Sequence, residues 1–331
     1  HHQQQHPHRH HIVVFVPREE GVVAMEVGRG YESCFEPELV FELVGSEKEM
    51  SARNIAPGKY IIEPGTAYRH IWNGFTINGK LNGNAEQSVQ VSFENCRTLN
   101  DLAGKLQNQL DLDSAVLMAH LQNGQTLSNL GFTLEQLPAL FIPNTYEFYW
   151  STPMTKLLQK MKTEEGIFWS KNNRIAKAAS IGLTKNEVYT LASIVEEETN
   201  NDSDKILIAS VYQNRLKKSM PLQACPTIKY AMQDFTITRI YEKYLTNSSP
   251  YNTYQNLGLP PGPICTPSPN TIDLVLNAPK TDYLYFVAKA DFSGYHHFSS
   301  TYEEHNRYAN EYQKKLDEYQ AKKKSKEAAN K

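Results

Sequence analysis

No apolar run in this chain approaches the roughly 18 residues that a membrane-spanning helix needs. Cysteine is scarce: the four present (Cys34, Cys96, Cys225, Cys265) form no Cys-x-x-Cys pair and no zinc spacing. That sets aside a dithiol redox motif and a thiolate zinc site. Basic charge is not in excess, since the net charge is −2, so the electrostatic footprint of a nucleic-acid binder is missing. Periodic repeats are absent as well.

What remains is the composition of a globular protein, 40% hydrophobic and 21% charged over 331 residues, long enough for two domains. Aromatic residues are plentiful, with 19 Tyr and three Trp (Trp72, Trp150, Trp169). Rings of this kind fill cores and also stack on the C–H faces of sugars. The opening segment, residues 1–11, is a His-rich tail. Residues Ile12 to Pro17 predict a strand closed by proline, and Gly58 to Gly65 a second strand and turn, with a helix from Thr66 onward. A new unit begins near Ser88 to Phe93, which alternates as a half-buried strand does. Thr98 caps a helix whose Leu99, Leu102, Ala103, Leu106 and Leu110 share one face. Residues 115–180 are mainly helical in pattern, broken by a turn at Phe141 to Tyr146. A Pro/Gly/Asn/Ser-rich loop at 250–270, a buried strand at Tyr283 to Ala288 and a last helix with Tyr308, Tyr312, Leu316 and Tyr319 on one face complete the chain. Beyond it, the Lys-rich tail at 321–331 is expected to fray.

The sharpest helix signal starts at Thr184. Thr184 and Glu187 have the spacing of a capping box, Leu183 and Val188 that of a hydrophobic staple, and Val188, Leu191, Ala192 and Val195 form an apolar stripe. This helix ends in three consecutive acids, Glu196, Glu197 and Glu198. At about 100° per residue Glu197 points away from Val188 toward solvent, while Glu196 and Glu198 sit on opposite shoulders of the stripe. Periodicity does not choose between those two. A carboxyl lodged against apolar surface has a raised pKa and can act as a general acid near neutral pH, as cleavage of a glycosidic bond requires.

Six blocks in order, Pro143-Asn-Thr-Tyr146, Ser193-Ile-Val-Glu-Glu-Glu-Thr199, Asn214-Arg-Leu216, Tyr251-Asn-Thr-Tyr254, Gly258-Leu-Pro-Pro-Gly-Pro263 and His296-His-Phe298, resemble the YceG-like family of endolytic murein transglycosylases, with matching spacing from roughly residue 55 to residue 310. The resemblance implies an α+β fold: a small LysM-like α/β module at 12–87, then a mixed α+β catalytic domain at 88–320 with a helix carrying the catalytic Glu. It selects Glu196, the first acid after Ser-Ile-Val, as that residue. For substrate contact it implies the polar groups of Asn214, Gln223, Thr227, Asn252, Tyr254 and His296. The Gly258 to Pro263 block would stiffen a groove wall. One departure stands out, since Cys225 occupies the place of the acid in the family's Gln-x-Asp-Pro-Thr pattern. Cys265 follows near the expected groove, so a Cys225–Cys265 bridge and two free thiols both remain open.

The implied activity is non-hydrolytic cleavage of the MurNAc–GlcNAc β-1,4 bond within nascent peptidoglycan strands, leaving 1,6-anhydro-MurNAc ends. A hydrolytic muramidase and a catalytically silent peptidoglycan-binding protein are the alternatives. The resemblance implies neither metal nor organic cofactor and no nucleic-acid partner. It implies peptidoglycan glycan strands and the cell-wall synthesis machinery as partners. A single-pass membrane anchor would precede His1 and hold this chain on the extracytoplasmic side of the bacterial cytoplasmic membrane.

Overall fold

A computed structural model describes residues 12–16, 58–62, 86–237 and 239–329. The helix expected from Thr66, Cys34 and Trp72 lie outside these residues. The strands are β1 (Ile12–Val16), β2 (Gly58–Ile62), β3 (Ser88–Ser92), β4 (Thr145–Tyr149), β5 (Tyr285–Ala288) and β6 (His296–Ser299). The described helices are α1 (Leu99–Gln107), α2 (Ser114–Leu121), α3 (Gly124–Leu130), α4 (Met154–Ser170), α5 (Arg174–Ser180), α6 (Lys185–Glu198), α7 (Asp202–Lys217), α8 (Cys225–Ala231), α9 (Glu242–Leu245), α10 (Pro269–Leu276) and α11 (Tyr302–Ala329). The fold is mixed α+β, as expected. No described helix is long and apolar enough to cross a membrane.

The chain divides into two compact units. One comprises residues 1–92, 103–117 and 145–157, the other 93–102, 118–144 and 158–331. In the first, β1 pairs antiparallel with β2, Val14 facing Tyr60, and β3 pairs antiparallel with β4, Val91 facing Tyr146. The alternation anticipated at 88–93 is present: Val91 is buried between exposed Gln90 and Ser92 on β3, and Tyr146 and Phe148 are buried on β4. Gln109 ties the end of β3 to the chain by accepting from the Ser92 N–H at 2.9 Å and donating to its carbonyl at 2.8 Å.

The second unit is organised around α6. Thr184 and Glu187 form the capping box foreseen from the sequence, the Thr184 hydroxyl accepting from the Glu187 N–H at 3.3 Å and the Glu187 carboxylate accepting from the Thr184 N–H at 2.8 Å. Thr98 is capped in the same way by Asp101. Every residue from Val188 to Val195 is buried, so α6 is covered all round and not along one stripe. Helices α7, α8 and α10 pack on it. The fully buried Ser193 is tolerable because it is bonded internally: its hydroxyl donates to the Thr190 carbonyl at 2.7 Å and accepts from the Ile264 N–H at 2.9 Å. Tyr189 donates to the Phe141 carbonyl at 2.8 Å, fixing the turn predicted at 141–146. Helix α7 is N-capped by Asn201, and α10 by Ser268 with Pro269 at its first position.

Strands β5 and β6 pair antiparallel, and α11 packs on both. Tyr308 stacks on His297 at 4.0 Å, while Tyr312 and Tyr319 flank Phe292, so the aromatic face read from the sequence is real. Fraying from residue 321 is not seen, because α11 continues to Ala329. The residues there are Lys, Glu, Ala and Ser, mostly strong helix formers that extend a helix already started.

Two substitutions test this frame. At Gly262 an added Cβ would lie 1.9 Å from the Glu135 carbonyl oxygen and 2.5 Å from its carbon, both backbone atoms that cannot swing aside. Gly262→Ala is expected to destabilise by about 2 kcal/mol or more, whereas Thr184→Ala, which removes one cap, costs about 1 kcal/mol. Chemical denaturation of both variants measures this, and a Gly262→Ala protein as stable as the parent would contradict the close approach.

Candidate active site

Three glutamates leave the last turn of α6, and each meets a different partner. Glu196 takes the Nζ of Lys205 at 3.1 Å and the Ser268 hydroxyl at 3.3 Å. Its side chain is 20% exposed and that of Lys205 only 7%, so the pair is largely removed from water. Lys205 also donates to the Thr271 hydroxyl at 3.0 Å. Glu197 is gripped by both ends of the Arg97 guanidinium, at 3.2 and 3.0 Å, and is 15% exposed. The solvent-facing position expected for Glu197 is therefore wrong. A helix buried on all sides has no solvent side to turn toward, and the segment bearing Arg97, whose guanidinium lies 5.1 Å from the Phe235 ring centre, covers this flank.

Among the described residues Glu198 has no cationic partner in contact. Its Oε1 accepts from the Tyr212 hydroxyl at 2.5 Å. Burial raises its pKa to about 7, against the pull of the Tyr212 hydrogen bond and of the Lys229 and Arg215 charges, with neighbouring Glu197 pushing further upward. The end of the α6 macrodipole acts in the same sense, since a helix C-terminus disfavours an anion. Arg215 is itself fixed, donating to the carbonyls of Leu284 at 2.7 Å and Leu222 at 2.8 Å. It thus lends positive potential without closing on the carboxyl.

Around Glu198 gather Cys225, the first residue of α8, and Tyr254. The Cys225 thiol lies 3.3 Å from the Tyr254 hydroxyl, and both feel the Glu198 charge. Burial pushes the Cys225 thiol up and holds the Tyr254 phenol well above its usual value, so both stay protonated near neutral pH. Cys225 and Cys265 are not bridged to each other, which settles the alternative left open by the sequence. Cys265 is buried and directs its sulfur to the Ser193 carbonyl at 3.4 Å.

The other expected contact residues divide sharply. Gln223 is exposed beside Cys225, with a left-handed φ of 50° and its N–H bonded to the Thr253 carbonyl. Asn252 is wholly buried: its amide donates to the carbonyls of Leu245 and Asn247 and its oxygen accepts from the Tyr254 N–H, so it shapes the loop and offers nothing to a ligand. Thr227, also wholly buried, donates to the Ala224 carbonyl at 2.7 Å and meets the Thr253 hydroxyl. Asn214 holds the carbonyls of Thr281 and Tyr283 at 2.8 and 3.0 Å. His296 is bound through its N–H and Nδ1 to the buried Asp204 carboxylate, at 2.7 and 2.8 Å. For these four, at least one polar side-chain atom expected to face substrate is engaged within the protein. Tyr212, Lys205 and Arg97 were not anticipated. Their sequence signal is weak: Lys205 is a charged residue and Tyr212 an aromatic one inside a helix that is mostly buried, and neither pattern marks a site.

An open cavity of about 890 Å³ lies toward the start of α6, lined by Thr184, Glu187, Gln213 and the Gly258 to Pro261 segment. Its one carboxylate, Glu187, is committed to the capping box, and Glu198 is roughly 16 Å farther along the helix. The three consecutive acids at the C-terminal end of α6 thus lie apart from this cavity.

Comparison with known proteins follows from this geometry. A protein of Bacillus subtilis (strain 168) named endolytic murein transglycosylase is 39% identical over 181 residues, covering 53% of this chain and 48% of its own. One of the same name from Streptococcus pneumoniae (strain ATCC BAA-255 / R6) is 31% identical over 258 residues, covering 74% of this chain and 44% of its own. The chain thus spans about half the length of these curated relatives. A crystal structure of a YceG-like protein from Listeria monocytogenes superposes with a TM-score of 0.60 at 24% identity, covering 90% of this chain and 98% of that one, which shows a shared fold. The sequence model of the YceG-like family matches residues 29–311. This chain belongs to the YceG-like family.

Proposed function

We propose that this chain cleaves peptidoglycan glycan strands as a lytic transglycosylase, breaking the MurNAc–GlcNAc β-1,4 bond without water, and that Glu198 is the acid and base. The names of the relatives support the activity. The observation that carries the assignment is a carboxyl with a pKa of about 7, set among groups that carry no opposite charge in contact with it. Glu196, the residue selected by resemblance, is instead held in an ion pair with Lys205.

Protonated Glu198 gives its proton to the glycosidic oxygen as the bond to MurNAc C1 breaks and its electron pair leaves with that oxygen. The resulting carboxylate lies beside the oxocarbenium-like centre. It then removes the proton of the MurNAc C6 hydroxyl as O6 bonds to C1. Glu198 ends the cycle protonated, as it began, so one carboxyl suffices and no second acid–base pair is needed. The C6 hydroxyl is part of the same sugar, which supplies the nucleophile at high effective concentration. Gln223 and the Tyr254 hydroxyl are the groups of the expected set placed to meet the glycan. Asn214, Thr227, Asn252 and His296 hold the surrounding loops.

Residues 12–87 serve in this reading as a LysM-like positioning module, and the protein works on the extracytoplasmic side of the membrane with the wall-synthesis machinery. Deleting residues 12–87 should weaken binding to chitooligosaccharides, and unchanged affinity would remove the module's glycan role.

On un-crosslinked glycan strands, Glu198→Gln is expected to lower cleavage about 10²–10⁴-fold, with wild-type products lighter by one water than those of a muramidase in mass spectrometry. Glu196→Gln retains the proton-transfer carboxyl and should still cleave, at reduced thermal stability because Lys205 loses its partner. The reverse outcome, an inert Glu196→Gln and an active Glu198→Gln, returns the role to Glu196. No chain shortening by wild type would favour a silent binding protein.

The same carboxyl has a stability signature. Its folded pKa of about 7 exceeds the ordinary 4.5, so the folded state holds its proton longer and stability falls as pH rises from about 4.5 to about 7. Glu198→Gln should therefore be more stable than wild type at pH 8, by up to about 3 kcal/mol, and equal to it near pH 4. Parallel pH dependence in the two proteins would refute the shifted carboxyl.

Cys225→Asp places a carboxylate near Glu198 at the first position of α8, where a helix N-terminus accepts an anion. The like charge should raise the Glu198 pKa and move the alkaline limb of the rate profile upward, so an unchanged profile would show that position 225 does not address the site.

A further inference from the structure

We propose that Tyr212 is a positioning residue for this reaction: its hydroxyl occupies one carboxyl oxygen of Glu198, Oε1, so that the exchangeable proton is carried and recovered on the other, Oε2. The proposal rests on the reading of Glu198 as the acid and base.

Tyr212 is 1% exposed and belongs to α7, with its ring edge-on to Phe286 at 5.8 Å and 85°. The packed ring leaves the hydroxyl little freedom to leave the carboxyl. Among the described residues Tyr212 alone hydrogen-bonds Glu198, at 2.5 Å. The groups facing Glu198 are Tyr212 and Arg215 from α7, Cys225 and Lys229 from α8, Tyr254 from the adjoining loop, and Glu197 from its own helix. Burial and the Glu198 charge hold the Tyr212 phenol well above its ordinary value, so it keeps its proton throughout the working range. A phenol that keeps its proton can only donate to a carboxylate oxygen. Oε1 is then an acceptor in both protonation states, and Oε2 alone gives and takes the proton. The bond also favours the ionised carboxyl, which keeps a strongly desolvated acid from binding its proton too tightly to release.

The test uses the whole chain. Carboxyl ¹³C titration of wild type, Tyr212→Phe and Glu198→Gln is run beside pH–rate profiles on un-crosslinked strands, the signal missing from Glu198→Gln identifying Glu198. Phe preserves the ring packing and removes only the donor. In Tyr212→Phe the Glu198 midpoint should rise by about one unit, and the alkaline limb should rise with it. The value of kcat should fall about tenfold at unchanged KM, as expected when an interaction acts on the chemical step alone. Site-specific 3-fluorotyrosine at 212, a stronger donor of nearly the same shape, should move the midpoint down, which keeps the test decisive if Tyr212→Phe folds poorly. A Glu198 midpoint unmoved by either replacement overturns the proposal. If Glu198→Gln cleaves like wild type, the parent assignment falls while the titration still decides whether Tyr212 holds the carboxyl.

Discussion

Burial of α6 on every side is the constraint on which the site depends. A helix wrapped by α7, α8 and α10 delivers its last turn into surroundings where charge is expensive, so each of the three consecutive acids needs its own answer. Two receive cations, Lys205 for Glu196 and Arg97 for Glu197. Glu198 receives a neutral hydroxyl and remains desolvated. Identical side chains thus meet different surroundings, and the one left without an opposite charge in contact is the one whose pKa burial raises to about 7.

The loops around the acids are built to stay still. Asn252 closes a turn with both ends of its amide, Thr227 and Thr253 knit α8 to the 252–254 segment, and Asn214 and Arg215 hold the chain at 281–284 and 221–222. These residues carry the polar chemistry that a glycan would seek, but in the folded protein it is directed inward. What faces outward beside Glu198 is sparser: the Gln223 side chain, the Cys225 thiol and the Tyr254 phenol.

Much of the frame could be read from the sequence, because its signals are local. The capping boxes at Thr98 and Thr184, the alternation at 88–92 and the tyrosine face of α11 each lie within a few residues of one another. The choice among Glu196, Glu197 and Glu198 was not legible for the opposite reason. Helical periodicity placed Glu196 and Glu198 on two shoulders, but the partners that tell them apart, Lys205 for one and Tyr212 for the other, lie outside the helix's own pattern. The polar residues of the recognised blocks were readable as important, though not as inward or outward facing, since an amide in a turn and an amide in a groove have the same sequence appearance.

The span of these contacts along the chain has a consequence for how the site assembles. Glu198 and Tyr212 are 14 residues apart and Glu196 and Lys205 nine, so both belong to the α6–α7 hairpin. The restraints that surround them, Arg97 to Glu197 across 100 residues and Asp204 to His296 across 92, close much larger loops. Loop closure costs more as the separation grows, so short-range pairs form earlier in folding. The carboxyl and its tyrosine would then meet in a nascent hairpin still wet on its outer faces, where an acid of ordinary strength results. Its raised pKa would be acquired only as the distant segments dock and water is excluded, among the last properties the folding chain gains.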